Sequence, residues 1–168
     1  TTIEANFQGS SLKMMCRPMT GYFMAQVDGS EPFKVGFNAE RDSVVTLATA
    51  LPKGVHHVKV MYVIEGLFRN PEFRGFVLDK GCKLVEAPAL SERKIEFIGN
   101  SITCGYGVES IEMSDPFEDE TENHWLTYAN IVSDSLKAQH TSISRSGIGV
   151  YRNYDGPKTR HRDRKSVV

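Results

Sequence analysis

The sequence is poor in cysteine, and the few cysteines it has are not clustered. Cys16, Cys82 and Cys104 are the only three in 168 residues, and they form neither a CxxC pair nor a group with histidine. His56 and His57 are neighbours on a predicted strand, so their side chains point to opposite faces. This spacing argues against a disulfide framework and against a metal site. We expect three buried, unreactive thiols, with one bridge and one free thiol as the open alternative.

Long apolar runs and a dominant sign of charge are also missing. No run approaches the roughly 20 apolar residues of a membrane-spanning helix. The net charge of −1 shows no excess of positive charge of the kind that binds nucleic acid. The sequence opens with Thr1 and shows no signal peptide, so export cannot be inferred from a leader. We therefore expect neither nucleic acid nor a membrane as a partner, and the oligomeric state stays open.

Residues 1–88 contain short apolar–polar alternations that are separated by turn residues. The alternating stretches are Ile3–Phe7, Leu12–Cys16, Phe23–Val27, Phe33–Phe37, Val45–Leu47, Val58–Tyr62 and Phe73–Leu78. Asp28-Gly29 is a strong hairpin signal, because glycine accepts a positive φ. Strands of this length and spacing, each with one apolar face, predict an antiparallel β-sandwich or barrel.

The pattern changes after Pro88, which interrupts regular structure and marks a domain boundary near Ala87–Ser91. Lys94–Ile98 reads as a strand and His140–Ser144 as a second strand. Between them, a helix is predicted over Asn123–Lys137. Its apolar positions, at helical spacing, are Leu126, Ala129, Val132 and Leu136, and Asn123 is the predicted cap. Strand, helix and strand in this order predict the βαβ unit of a parallel sheet over residues 92–157.

The last stretch, residues 158–168, is basic and nearly free of apolar side chains. Lys158, Arg160, Arg162, Arg164 and Lys165 are accompanied by a single acid. This composition predicts a solvated, disordered tail. A nucleic-acid or membrane-binding arm is the weaker interpretation, because no aromatic residues are interleaved with the charges. The abrupt change after Pro157-Lys158-Thr159 also suggests that the natural reading frame is lost, or that a gene-model error enters, at that point.

The turn Gly99-Asn100-Ser101 follows the predicted strand Lys94–Ile98 directly. A serine there lies at the carboxyl edge of a parallel sheet, where ligands bind in open α/β folds. Free backbone N–H groups beyond it could face an anion, which suits a nucleophile beside an oxyanion hole. Taken alone, a G-x-S turn is weak evidence, since many strand ends carry a serine that only caps a helix.

Three sequence runs give this turn a context. Residues 93–107 (RKIEFIGNSITCGYG) resemble the first block of SGNH (GDSL-type) hydrolases. Residues 120–129 (ETENHWLTYA) and 146–154 (SGIGVYRNY) narrow the resemblance to carbohydrate esterase family 2, bacterial deacetylases of xylan and related polysaccharides. The resemblance implies a jelly-roll domain ahead of the catalytic domain, which agrees with the β-sandwich predicted separately for residues 1–88.

The resemblance also implies roles for two residues. Ser101 matches the nucleophile, and Gly147 matches the second-block glycine whose N–H joins the oxyanion hole. Asn100 stands where the superfamily usually has Asp. The third-block asparagine and the late Asp-x-x-His, whose histidine is the general base, have no counterpart. The resemblance therefore implies a C-terminally truncated chain in which residues 92–157 form only the first βαβ part of a three-layer SGNH α/β domain. His161 stands in the basic tail, and His124 has no base role in the family, so we expect this chain to be nearly inactive.

The predicted parent activity is removal of O-acetyl groups from xylan or related polysaccharides by a serine esterase. The resemblance implies no cofactor and no metal, because this chemistry needs no electron sink or Lewis acid. It implies acetylated plant polysaccharide or oligosaccharide as the partner, and secretion or a periplasmic location. The alternative function is a non-catalytic carbohydrate-binding sandwich. A structural sandwich without a ligand is the third possibility.

Overall fold

Seven antiparallel strands form the first part of the chain. The computed structural model describes residues 1–41, 43–66 and 69–156. It divides the chain into two units, one from Thr1 to Ala89 and one from Leu90 onward. The predicted basic tail, with His161, lies outside the described residues, as does Pro157. In the described ranges, no helix combines the length and the apolar character that crossing a bilayer requires.

The strands of the first unit form two sheets. They are β1 Thr2–Gln8, β2 Leu12–Cys16, β3 Gly21–Val27, β4 Phe33–Phe37, β5 Val44–Ala48, β6 Val55–Tyr62 and β7 Phe73–Leu78. One sheet has the order β1-β6-β3-β4 and the other β5-β2-β7, and every pairing is antiparallel. Apart from β3 to β4, every connection between consecutive strands passes from one sheet to the other. The predicted sandwich is confirmed, and its jelly-roll connectivity stays a prediction.

The two sheets share one hydrophobic core. The alternation in β2 shows why, because Leu12, Met14 and Cys16 are fully buried while Lys13 between them is exposed. Opposite them lie apolar residues of the other sheet, Phe7, Ala25, Phe37, Val58 and Val60 among them. Full burial of one Leu- or Phe-sized side chain stabilises the fold by about 1.5–3 kcal/mol. The period of two in the sequence therefore encodes the sandwich directly.

Turns and thiols of the sandwich are as the sequence suggests, with one correction. Asp28 and Gly29 both have positive φ, 51° and 70°, and the Ser30 N–H donates to the Val27 carbonyl at 2.9 Å. This is the type I′ geometry that Asp-Gly favours. All three cysteines are free, but Cys82 is partly exposed rather than buried. Burial raises the pKa of Cys16 to about 11, so that thiol is inert at neutral pH.

The second unit contains a parallel strand pair. Its elements are β8 Lys94–Gly99, α1 Ser101–Cys104, α2 Tyr128–Ser135 and β9 Gln139–Ser144, with two short 3₁₀ turns at Asp119–Thr121 and His124–Leu126. β8 and β9 pair in parallel from Lys94 opposite Gln139 to Gly99 opposite Ser144. The predicted strand–helix–strand order and the parallel pairing are confirmed.

The predicted helix Asn123–Lys137 is too long at both ends. Asn123 caps the 3₁₀ turn instead, accepting a hydrogen bond from the Trp125 N–H, and the α-helix begins only after Thr127. The chain turns at Lys137, whose φ is 49°. Of the four predicted apolar positions only Ala129 is buried, because the helix places Ala129, Asn130 and Ser133 inward.

Candidate functional site

The two predicted site residues follow neighbouring parallel strands. Ser101 stands two residues beyond the end of β8, and Gly147 stands three residues beyond the end of β9. The last residues of these strands, Gly99 and Ser144, are paired with each other. Because parallel strands end at the same edge, Ser101 and Gly147 both leave the carboxyl edge of the sheet, where open α/β folds bind ligands.

Gly99 and Asn100 determine how the chain turns at Ser101. A Cβ on Gly99 would overlap the side chain of Thr103, so only glycine lets α1 fold back on β8. Asn100 has extended backbone and its Oδ1 accepts from the Ile102 N–H at 3.2 Å. Asn100, not Ser101, is therefore the cap of α1, which removes the interpretation of Ser101 as a helix cap. An amide oxygen supplies the same acceptor as the usual Asp, without its negative charge.

Three of the N–H groups in this turn have hydrogen-bond acceptors within the turn itself. The Thr103 and Cys104 N–H groups both donate to the Asn100 carbonyl at 3.0 Å, and Asn100 Oδ1 takes that of Ile102. The Ser101 N–H and the Ser101 hydroxyl are left without a hydrogen-bond partner among the described residues. A nucleophile and an oxyanion donor on the same residue are what acyl transfer requires.

A polar cluster that the sequence pattern does not predict joins α1 to β9 through His124, His140 and Ser142. His124 Nδ1 is 2.8 Å from the Thr103 carbonyl, and His124 Nε2 is 3.1 Å from His140 Nε2 and 3.2 Å from Ser142 Oγ. A carbonyl only accepts, so we assign the proton to Nδ1, and Nε2 accepts from His140 and Ser142. Thr103 Oγ1 is also hydrogen-bonded to the Tyr128 hydroxyl at 2.8 Å.

This cluster holds α1 rather than activating Ser101. The His124 ring connects the Thr103 carbonyl of α1 to the side chains of His140 and Ser142 in β9. The hydroxyl of Tyr128, the first residue of α2, is hydrogen-bonded to the Thr103 side chain. Burial lowers the pKa of His124, which keeps the ring neutral and its acceptor available. Sequence spacing could not reveal the cluster, because His124 lies in a 3₁₀ turn and His140 in β9, and only the tertiary fold brings them together.

Gly147 begins a loop that is closed by its own hydrogen bonds. Its φ is 81°, and its carbonyl accepts from the Tyr154 N–H at 2.7 Å. Further along, the Gly149 N–H donates to Asn153 Oδ1 at 3.2 Å, and a Cβ on Gly149 would overlap the Arg152 carbonyl. The Gly147 N–H donates to no acceptor in the described ranges, which is compatible with the oxyanion role that the resemblance implies.

Comparison with known proteins identifies the family. A family model described as Carbohydrate esterase 2 N-terminal matches residues 1–88, which is more than half of the 168 residues. The chain belongs to carbohydrate esterase family 2. The match covers the sandwich, and it confirms the family that the sequence runs between residues 93 and 154 resemble.

Curated relatives align with nearly all of this family 2 chain. It is 37% identical over 159 residues to the cellulase/esterase CelE of Acetivibrio thermocellus, covering 93% of the chain and 19% of the relative. It is 30% identical over 155 residues to an acetylxylan esterase / glucomannan deacetylase of Cellvibrio japonicus, covering 91% of the chain and 42% of the relative. The chain thus spans less than half the length of either protein.

Solved structures show the same architecture. A family two carbohydrate esterase from Clostridium thermocellum, in complex with cellohexaose, superposes with a TM-score of 0.82 at 36% identity, over 95% of this chain and 49% of that one. The Cellvibrio japonicus family two esterase has a TM-score of 0.76 at 19% identity over 92% and 46%, which shows the fold alone. These neighbours confirm the predicted fold class, a sandwich followed by the beginning of an SGNH-hydrolase α/β domain.

Proposed function

We propose that the second unit carries the nucleophile half of a deacetylase site for O-acetylated plant polysaccharide. The observation that carries this proposal is the Ser101 turn at the carboxyl edge of the sheet, where neither the hydroxyl nor the N–H of Ser101 has a hydrogen-bond partner among the described residues. Family membership supports an ester as the substrate. The named activity of the Cellvibrio relative supports acetylated xylan or glucomannan.

The chemistry follows from these positions. Ser101 Oγ attacks the acetyl carbonyl carbon, and its proton leaves to a base as the Oγ–carbon bond forms. The negative oxygen of the tetrahedral intermediate accepts from the Ser101 N–H and, in our proposal, from the Gly147 N–H. Collapse releases the sugar hydroxyl, which takes up the proton, and water then hydrolyses the acetyl-serine to acetate.

The reaction needs a general base that accepts the proton of the Ser101 hydroxyl. In the described ranges the Ser101 hydroxyl contacts no histidine and no carboxylate. His124 does not substitute, because its Nδ1 is committed to the Thr103 carbonyl and its Nε2 to β9. Loss of the catalytic histidine from a serine triad removes about 10⁶ of kcat. We therefore expect the chain by itself to hydrolyse acetyl esters at a rate near background.

An external base tests the proposal. Acetate release from acetylated xylan is measured with increasing imidazole, for the chain and for Ser101→Ala. We expect a near-background rate without imidazole and an imidazole-dependent increase in the wild type alone, because imidazole can accept the proton of Ser101. Identical rates for the two proteins at every imidazole concentration would refute Ser101 as the nucleophile. Rapid turnover without imidazole that Ser101→Ala abolishes would reveal a base in the chain.

A binding function for the sandwich has less support. Every exposed large hydrophobic side chain of the described sandwich is aliphatic: Met19, Val44, Val55, Val77 and Leu84. Sugar-binding surfaces usually present aromatic rings, and the exposed aromatic side chains belong instead to the second unit. We accordingly place carbohydrate contact on the second unit. Export to the periplasm or exterior is part of this proposal, since polymeric substrates lie outside the cell.

A further inference from the structure

Two aromatic side chains of the second unit stack on each other at the surface. The rings of Tyr106 and Phe117 lie 3.9 Å apart between centroids, with only 12° between their planes. Their residues are nevertheless 47% and 36% exposed. Exposed apolar surface often marks an interaction site, and this pair differs from the other exposed apolar side chains that the structure describes in the unit in being stacked face to face.

The loop that carries this pair is built to hold it. Its ends are joined, since the Asn123 N–H donates to the Gly105 carbonyl at 3.1 Å, and a Cβ on Gly105 would overlap that same segment. Within the loop, Asp115 Oδ2 accepts from the Ile111 N–H at 3.2 Å and from the Glu112 N–H at 2.9 Å. A preformed surface binds with a smaller entropic cost than one that must first become ordered.

The pair lies close along the chain to the proposed nucleophile. The Tyr106 N–H donates to the Ser101 carbonyl at 3.0 Å, so Tyr106 immediately follows the single turn of α1. This hydrogen bond places the backbone of Tyr106 next to the backbone of the proposed nucleophile.

The charge around the pair restricts the chemistry of its ligand. The loop that carries the pair, residues 106–121, contains six aspartates and glutamates and no lysine or arginine. Anionic ligands, such as uronic acids or phosphates, would be repelled by this surface. A neutral ring with an apolar C–H face and polar edges fits, because the aromatic face is the negative end of the ring quadrupole and attracts the C–H groups.

We propose that Tyr106 and Phe117 form a stacking platform for a neutral pyranose unit of the polysaccharide. The C–H face of the sugar packs on the exposed aromatic surface, and its hydroxyls remain at the hydrated edge. The proposal rests on the proposed function for the class of ligand, a neutral plant polysaccharide. In this proposal the loop binds the polysaccharide close to the acetyl ester that Ser101 attacks.

Binding is tested separately from hydrolysis. Xylohexaose and cellohexaose are titrated into the full chain by calorimetry, with polygalacturonate as the anionic comparison. We expect at least one neutral hexaose to bind, polygalacturonate not to bind, and both Tyr106→Ala and Phe117→Ala to weaken binding by about tenfold, the loss of one ring contact. Tyr106→Phe keeps the ring and should bind like the wild type. Met113→Ala removes a fully exposed apolar side chain of the same loop and should also leave binding unchanged.

The outcomes separate this proposal from the one on Ser101. Unchanged affinity in both alanine variants, tight binding of polygalacturonate, or binding of neither hexaose to the wild type would overturn the platform. Ser101→Ala should bind like the wild type, because stacking needs no nucleophile. Normal, ring-dependent binding together with absent imidazole-dependent hydrolysis would sink only the esterase proposal. Fluorescence of the buried Trp125 checks that each variant is folded.

Discussion

His56 in the sandwich is held between two groups that only accept hydrogen bonds. Its Nδ1 lies 2.7 Å from Asp28 Oδ2, and its Nε2 lies 2.8 Å from the Pro52 carbonyl. A neutral imidazole has one donor only, so both contacts are satisfied only by the protonated ring. The hydrogen bond to Asp28 accordingly raises the pKa of His56. The ring thereby ties the turn after β3 to the turn before β6.

This pair makes the stability of the sandwich depend on pH. A group whose pKa is raised on folding stabilises the fold below its unfolded pKa, about 6.5 for histidine, and the contribution is lost as pH rises through the folded pKa. We therefore expect Asp28→Asn to lower the melting temperature clearly at pH 5.5 and much less at pH 8.5. Thermal melts at the two pH values measure the difference.

Asparagine is the appropriate replacement, because Asp28 has a φ of 51° and asparagine tolerates this left-handed region. The Asn side chain can also still accept from the His57 N–H, as Asp28 Oδ1 does at 2.8 Å. His57 Nε2 also lies 3.3 Å from a Glu4 carboxylate oxygen, so Glu4→Gln serves as a control for general charge loss. Equal destabilisation of Asp28→Asn at both pH values would contradict a protonated His56.

α1 is only four residues long, and its position depends on contacts outside it. It is held by the Asn100 cap, by His124 on the Thr103 carbonyl and by Tyr128 on the Thr103 hydroxyl. A methyl group on Gly99 would overlap Thr103 and push the element away. We expect Gly99→Ala to destabilise the second unit by about 1–3 kcal/mol, the usual cost of overpacking.

Urea unfolding followed by Trp125 fluorescence measures this loss, since Trp125 is the single tryptophan and is buried in the second unit. The control for the glycine-to-alanine change itself is Gly54→Ala in the sandwich, because a Cβ on Gly54 meets nothing within 4 Å and its φ is not in the left-handed region. That variant should stay within about 0.5 kcal/mol of the wild type. An unfolding curve for Gly99→Ala that equals the control would show that α1 can move without cost.

Elements with a complete local signal were predictable from the sequence. β2 and β4 were predicted with their bounds, because alternation and flanking turns coincide there. α2 was not, because apolar spacing continues through Leu126 although the chain from His124 to Leu126 forms a 3₁₀ turn capped by Asn123. The position of Ser101 just beyond a strand was also predictable, because the apolar strand pattern and the Gly99-Asn100-Ser101 turn are adjacent in the sequence. The His124–His140 contact and the Tyr106–Phe117 stack depend on how the chain between β8 and β9 folds back on itself, which spacing does not encode.

The two units differ in how completely they bury their apolar side chains. The sandwich has its own core, in which Phe7, Leu12 and Phe37 are fully buried between two sheets. The second unit has a two-stranded sheet on which Ile98 and Ile143 remain about half exposed. A parallel sheet is normally covered on both faces, so this unit is the less completely packed of the two. Folding autonomy is therefore expected of the sandwich.

The segment Thr1–Ala89 should fold when expressed alone. We expect a far-ultraviolet circular dichroism spectrum of β type and one cooperative thermal transition, because its core cluster consists entirely of its own residues. Leu12→Ala should destabilise the segment and the full chain alike, by about 2–5 kcal/mol, since Leu12 is fully buried in that core. Val55→Ala, at a position that is 58% exposed, should change the free energy of unfolding of the segment and of the full chain by no more than about 0.5 kcal/mol. A helical spectrum, a gradual melt, or a Leu12→Ala loss confined to the full chain would show that the sandwich requires the residues that follow it.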